Sequence, residues 1–257
     1  LLPFAMIVGL VAGLVFAQPD VSAAATIVLL ALVLFFLAGA DTRQLLLSVA
    51  VILIVGLLVI NVSSTARARV DDYMRGLADL RQASDQVQQA VVAFVNGGLF
   101  GVGLGQGIQK YGPLPLPATD SIFAVVGEEL GLVGCLALMG LFGALAWRGL
   151  RIARRAADPL GGLLAASITI WIVAEAAINM LVTLGLVPVA GNALPFISYG
   201  GSALVATLAA IGLLLNVSAQ SFAPGVQRKT VANLDFGGRD RRRRVSGAGR
   251  RDRAARG

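Results

Sequence analysis

The sequence predicts an all-α protein, a polytopic transmembrane helix bundle of six spans with a long glycine-rich extracytoplasmic loop between the third and the fourth. Three observations predict it. Hydrophobic residues make up 57% of the chain and charged residues only 14%, and the mean hydropathy is +0.81, outside the range of soluble domains. The apolar residues fall in continuous runs near the roughly 20 residues that a bilayer-crossing helix needs. The runs also lack the short two-residue alternation of an outer-membrane barrel, so backbone pairing within each segment must be helical.

The first three spans are expected at about 2–17, 22–40 and 45–62. The first lacks the basic start and small-residue cleavage site of a signal peptide. Asp20, in "AQPD", ends it at the membrane surface. Residues 63–121 form the outer loop, in two parts. From Ser63 to Gln89, Arg and Asp at mixed spacings suit an amphipathic helix lying on the membrane. From Ala90 to Thr119 the chain becomes apolar and glycine-rich, "AVVAFVNGGLFGVGLGQGIQKYGPLPLPAT". So many glycines disfavour an isolated helix, and they allow backbone to approach a ligand or another segment closely. A phosphate loop is a poor match, because no Gly-Lys-Ser/Thr ends the run. A flexible or re-entrant loop is the plainer reading.

Three more spans follow at about 122–147, 163–187 and 202–219. Carboxylates at membrane depth are costly and are paired or face a cavity. Glu128 and Glu129 leave their helix in different directions, and pairing with Arg or Lys is the structural reading for both. Glu175 and Asn179 are four apart and share one helix face. Cys135 is the only cysteine and the chain has no histidine, which excludes a disulfide framework and a Cys/His metal cluster; Cys135 reads as packing.

From Arg228 to the C-terminus the charge is +8, so the rest of the chain sums to about −1. Arginine excess marks the cytoplasmic side, and "RGLRIARRAAD" at 148–158 carries four more. Both are therefore expected inside, which places the N-terminus inside and Asp120 outside. Residues 221–257 read as a disordered basic tail, fitted to anionic membrane lipids rather than to a specific nucleic acid.

Three segments carry a resemblance. "GGLFGVGLGQGIQK", "LPLPATDSIFAVVGEELGLVG" and "NMLVTLGLVPVAGNALPFISYGGSALVATLAAIGLLLNVS" resemble the signature segments of the SEDS family of shape, elongation, division and sporulation proteins, the RodA/FtsW/SpoVE group. "QPD" at 18–20, "VQQA" at 87–90 and Arg69 resemble family positions in register. The resemblance covers residues 1–220. It implies a ten-helix bundle in the bacterial cytoplasmic membrane that polymerises lipid II into peptidoglycan, partnered by a class B penicillin-binding protein. The chain then corresponds to the C-terminal six helices of that bundle.

By the same resemblance Asp120 matches the family's essential aspartate, Gln109 and Lys110 its Gln-Lys pair, and Ser198 and Tyr199 its last motif. It implies Asp120 as catalytic residue, with Lys110, Gln109, Arg69, Thr119, Ser198 and Tyr199 binding substrate, and Glu128, Glu129, Glu175 and Asn179 in support. Two departures stand out. Where the family commonly has Glu-Ala-His-Thr-Asp, this chain reads Leu116-Pro117-Ala118-Thr119-Asp120, and Gln106-Gly107 replaces a more usual Gly-x-Ser.

Glycosyl transfer from a lipid diphosphate needs a carboxylate to deprotonate the acceptor hydroxyl and donors to stabilise the departing diphosphate. Asp120 fits the first need; Lys110, Arg69 and the glycine-rich backbone fit the second. Read locally, Asp120 is also a helix N-cap. A divalent cation, Mg2+ or Mn2+, bridging the diphosphate suits the chemistry, but no ligand set is legible. A lipid II flippase and a non-catalytic scaffold of the division or elongation machinery are the rival readings, and neither needs a carboxylate at the outer mouth.

Overall fold

The computed structural model describes residues 2–18, 21–112 and 114–222, and every regular element among them is helical. Asp20 and the basic tail from Arg228 onward lie outside the described residues. The order is α1 (Leu2–Ala17), α2 (Val21–Leu37), α3 (Thr42–Val62), α4 (Ser64–Ala78), α5 (Asp85–Gly97), α6 (Ile122–Arg155), α7 (Pro159–Thr183) and α8 (Gly201–Phe222), with short 3-10 turns at Leu80–Gln82 and Gln109–Tyr111.

Among the described residues four helices, α3, α6, α7 and α8, are long and apolar enough to cross a bilayer. The two apolar helices α1 and α2, of 16 and 17 residues, rise only about 25 Å, short of the roughly 30 Å hydrocarbon core. The chain is an integral membrane protein built as a helical bundle. Its packed centre lies where α6, α7 and α8 meet, around Phe123, Ile172 and Leu214.

The segment between α3 and α6 is mostly folded. Ser63 caps α4 by accepting the Ala66 N–H at 3.3 Å, and α4 is the amphipathic helix expected there. Helix then resumes at Asp85 and continues to Gly97, into the stretch expected to be non-helical. Packing reverses the propensity: Ala90 and Ala93 are fully buried against Ala124 and Val125 of α6, and such burial outweighs the small intrinsic terms.

Two boundaries also differ from the sequence reading. α6 continues to Arg155, so the four arginines of 148–155 end a helix, where cations favour its negative pole, instead of forming a loop. α7 begins at Pro159, capped by Asp158, whose Oδ2 accepts the Gly161 N–H at 2.9 Å, and it stops at Thr183.

α6 is one helix with a break in it. At Gly131 the backbone has φ 67 and ψ −165, a conformation that side-chain-bearing residues avoid. α5 runs alongside the stretch of α6 above this break, with Phe94 edge-on to Phe123 at 5.8 Å. The chain reverses at residues 98–103, level with the break, and returns toward Asp120.

Candidate functional site

Asp120 lies immediately before α6, half-buried. The N-cap position of α6 belongs to Ser121, and the Ser121 hydroxyl donates to Pro115 O at 2.7 Å. The Asp120 side chain is therefore not placed as the cap that local sequence suggested. Burial lifts its carboxyl above the usual carboxylate range, and the Thr119 side chain, hydrogen-bonded to it, draws it partly back.

The backbone that carries Asp120 is gripped at three successive carbonyls. Tyr199 N–H donates to Ala118 O at 2.7 Å, Ser198 Oγ donates to Thr119 O at 2.6 Å, and Asn179 Nδ2 donates to Asp120 O at 2.9 Å. All three donors come from α7 and the 184–200 segment that follows it. Asn179 also donates to Asn192 O at 2.6 Å, and the Leu194 N–H donates to Ser198 Oγ at 2.7 Å. The carboxylate lies along Gly191, where an added Cβ would come within 3.3 Å of Asp120 Oδ2.

These contacts bring Thr119, Asp120, Asn179, Ser198 and Tyr199 together. A serine hydroxyl has one proton, and that of Ser198 goes to Thr119 O, so Ser198 holds the backbone and is not a free donor to substrate. The Tyr199 side chain is exposed beside it. Arg69 is on α4, four residues before Tyr73 and so on the same face; Tyr73 reaches the 184–200 segment by donating to Leu186 O at 2.9 Å. Glu175 is half-buried one turn from Asn179 on α7.

Gln109, Lys110, Glu128 and Glu129 form a second cluster. Glu128 is only 1% exposed, yet among the described residues it pairs with no Lys or Arg: its carboxylate accepts the Ile108 and Gln109 N–H groups at 3.2 Å each. This corrects the expected charge pairing, because backbone donors on the returning chain occupy the space a cation would need. Glu129 does pair, with Lys110 Nζ at 2.5 Å, and its Oε2 accepts the Gly105 N–H at 2.9 Å. The hydrogen bond that the Lys110 ammonium donates to Glu129 holds it above its ordinary pKa.

A consequence is that the glycine-rich backbone is not an empty anion cradle. The N–H groups of Gly105, Ile108 and Gln109 already point at the protein's own carboxylates. Lys110 is likewise engaged, although an ammonium carries three donors. The Gln109 side chain is buried, and its Oε1 has no partner among the described residues.

The cation reading finds no support in this donor set. Among the described residues no group of three or more His, Cys, Asp and Glu side chains could hold a metal; Glu128 and Glu129 are taken by amides and Lys110.

Sequence reasoning missed Gly191, Asn192 and Tyr73. Gly191-Asn192 interrupts an apolar stretch directly before "ALPFISYGG", which was the available signal; Tyr73 showed itself only as the residue one turn after Arg69.

Comparison with known proteins agrees with this architecture. The profile of the FtsW/RodA/SpoVE family, described as cell cycle protein, matches residues 1–222. The probable peptidoglycan glycosyltransferase FtsW of Geobacter sulfurreducens is 40% identical over 218 residues, 84% of this chain and 58% of that protein. Stage V sporulation protein E of Bacillus subtilis is 40% identical over 209 residues, 81% of this chain and 57% of that protein. This chain therefore spans less than two thirds of the length of either relative.

Among solved structures, a peptidoglycan synthase complex described in terms of the coordination of polymerization and crosslinking matches with a TM-score of 0.67 and 30% identity, over 85% of this chain and 61% of that one. The rod shape determining protein RodA of Thermus thermophilus matches with a TM-score of 0.56 and 29% identity, over 86% of this chain and 56% of that one. With the profile spanning every helix and the relatives at 40% identity, this chain belongs to the FtsW/RodA/SpoVE family of cell cycle proteins.

Proposed function

We propose that this chain carries the catalytic half of a peptidoglycan glycosyltransferase that polymerises lipid II into glycan strands, with Asp120 as the general base. The observation that supports it most is the mounting of Asp120: a half-buried carboxylate, not used as a helix cap, on a backbone fixed at three consecutive carbonyls. A group that must meet a hydroxyl at hydrogen-bond range needs such fixing.

In the proposed reaction Asp120 takes the proton of the acceptor sugar hydroxyl. That oxygen forms a bond to the anomeric carbon of the donor, and the bond from this carbon to the diphosphate breaks, the electron pair leaving with the diphosphate. Arg69 and the remaining donors of Lys110 stabilise the charge that develops, and Thr119 and Tyr199 line the acceptor side. Gln109, Glu128 and Glu129 hold Lys110 and its loop. No step is routed through a metal.

The orientation that goes with this reading puts Asp120 on the extracytoplasmic side, the arginines of 148–155 and the tail in the cytoplasm, and six helices across the membrane. A class B penicillin-binding protein is the proposed partner for crosslinking. The test is to supply labelled lipid II to the protein at the full length of its family and resolve the products. Glycan chains support the transferase; translocation of lipid II without polymer supports the flippase reading.

A further inference from the structure

The end of α6 remote from Asp120 carries Arg148, Arg151, Arg154 and Arg155. Asp158 is the only carboxylate between Glu129 and Glu175, and its Oδ2 is engaged by the Gly161 N–H as the cap of α7. Residues 148–158 therefore hold four arginines against one aspartate, a net +3. The helix poles do not offset it, because α6 ends where α7 begins and a negative pole meets a positive one. Among the described residues none of the four arginines makes an ion pair.

This charge lies at a definite level. Residues 130–147 carry no charged side chain and rise about 27 Å as helix, close to the roughly 30 Å hydrocarbon core. Trp147 thus stands at its boundary, where aromatic and basic residues collect. Arg151 follows about 6 Å and Arg155 about 12 Å farther along, across a headgroup layer of roughly 5–8 Å. Helical side chains lean toward the N-terminus of their helix, so these arginines reach back toward the membrane.

The side chains also enclose a space. Trp147, Arg151, Arg154 and Arg155 line a cavity of about 210 Å³. The Arg151 guanidinium is stacked 3.8 Å from the centre of the Trp147 ring, and that of Arg148 lies at 5.4 Å. Stacking fixes the plane of Arg151 and leaves its edge N–H groups as a fork, which matches two oxygens of a phosphate. Trp147 is 55% exposed, and Leu136, three turns back on the same face, is exposed too.

We infer that Trp147, Arg151, Arg154 and Arg155 form a binding site for the phosphodiester headgroup of an anionic phospholipid. The headgroup phosphate takes the arginine forks, and the acyl chains lie along the Leu136 side of α6. An anionic lipid answers the net +3, whereas a zwitterionic one brings a cation with its phosphate. A soluble anion matches the charge but leaves the apolar face beside Trp147 unused. Basic pockets beside spanning helices hold such headgroups. The site is at the opposite end of α6 from Asp120 and is independent of the reaction performed there.

The test is native mass spectrometry of the protein at the full length of its family, equilibrated in detergent with phosphatidylglycerol or phosphatidylcholine of identical acyl chains. R151Q/R154Q/R155Q is compared with R67Q/R75Q/R81Q, which removes the same charge from α4 and the turn after it. An arginine beside an anionic surface contributes about fivefold in affinity. The wild type and the R67Q/R75Q/R81Q control should therefore retain phosphatidylglycerol in preference to phosphatidylcholine, and R151Q/R154Q/R155Q should lose that retention by about tenfold or more. Equal retention by the two triple variants, or no preference for phosphatidylglycerol, overturns the inference. Displacement of the lipid by polyglutamate or inorganic phosphate also overturns it, by making this a site for a soluble anion. If R151Q/R154Q/R155Q does not fold, Arg151→Lys and Trp147→Leu decide: both keep the charge and break the stacked fork, so retention should fall severalfold, and unchanged retention in both contradicts the site.

Discussion

The side-chain amide of Asn179 donates to the backbone carbonyl of Asp120 at 2.9 Å and to that of Asn192 at 2.6 Å, so one residue near the C-terminal end of α7 joins the Asp120 loop to the segment beside it. Asn179→Ala leaves two carbonyls without this donor at a buried site, at about 1–3 kcal/mol each. Thermal unfolding in detergent should show that loss. Asn179→Asp should be no better, because a carboxylate turns a donor into an acceptor facing two carbonyls. Wild-type melting of either variant would mean that Asn179 does not hold the loop.

Lys110 and Glu129 form an ion pair between the glycine-rich segment and α6. Lys110→Met leaves the Glu129 carboxylate part-buried without its cation, and Glu129→Gln leaves the converse. The double variant should be more stable than the sum of the two single losses implies, which a double-mutant cycle reads directly. Additive effects would mean that the pair contributes nothing to the mounting of the loop.

The contact between Gly101 and α6 makes a sharper structural test. Gly101 has φ +80 and no room for a Cβ, whereas Gly140, farther along α6, has nothing within 4 Å. Gly101→Ala should cost about 2–5 kcal/mol by strain and overpacking, and Gly140→Ala should be neutral or gain about 0.5–1 kcal/mol from helix propensity. Equal effects in chemical denaturation would remove the close packing of loop and helix.

Burial raises the Asp120 carboxyl above the ordinary value, and the sign of the linkage follows. The folded state binds this proton more tightly than the unfolded chain. The stability so gained is present below about pH 4, the unfolded value, and is lost as the pH rises through the folded one. At pH 7 the ionised carboxylate is thus a net cost that Asp120→Asn removes. The variant should melt at or above the wild type at pH 7, with the difference shrinking on acidification. A lower melting point at pH 7 would show that the charge holds structure.

The sequence showed the bundle because 20-residue apolar runs leave few alternatives, and it showed Asp120, Lys110 and Glu129 because carboxylates and cations are conspicuous in so apolar a chain. It placed Asn179 and Glu175 on one face but not the bond from Asn179 to Asp120, which spans 59 residues and depends on how α7 packs. The break at Gly131 was illegible for the same reason: a glycine in an apolar run looks like any other until Gly98 and Leu99 are known to bond across it. Helix α5 was misjudged because its propensity is overridden by Ala90 and Ala93 packing on α6. Glu128 was expected to find a cation because composition says nothing of backbone N–H groups brought to it from 20 residues away.

Asp120→Asn tests the central claim most directly. The amide keeps the size of the side chain and most of its hydrogen bonding but cannot accept the acceptor hydroxyl's proton. Glycan formation from labelled lipid II, by the full-length protein, is measured beside thermal stability and lipid II binding. With Asp120 as the base, polymer should fall by about 10²–10⁴-fold while folding and lipid II binding persist. Near-wild-type polymer from a folded Asp120→Asn protein would contradict it.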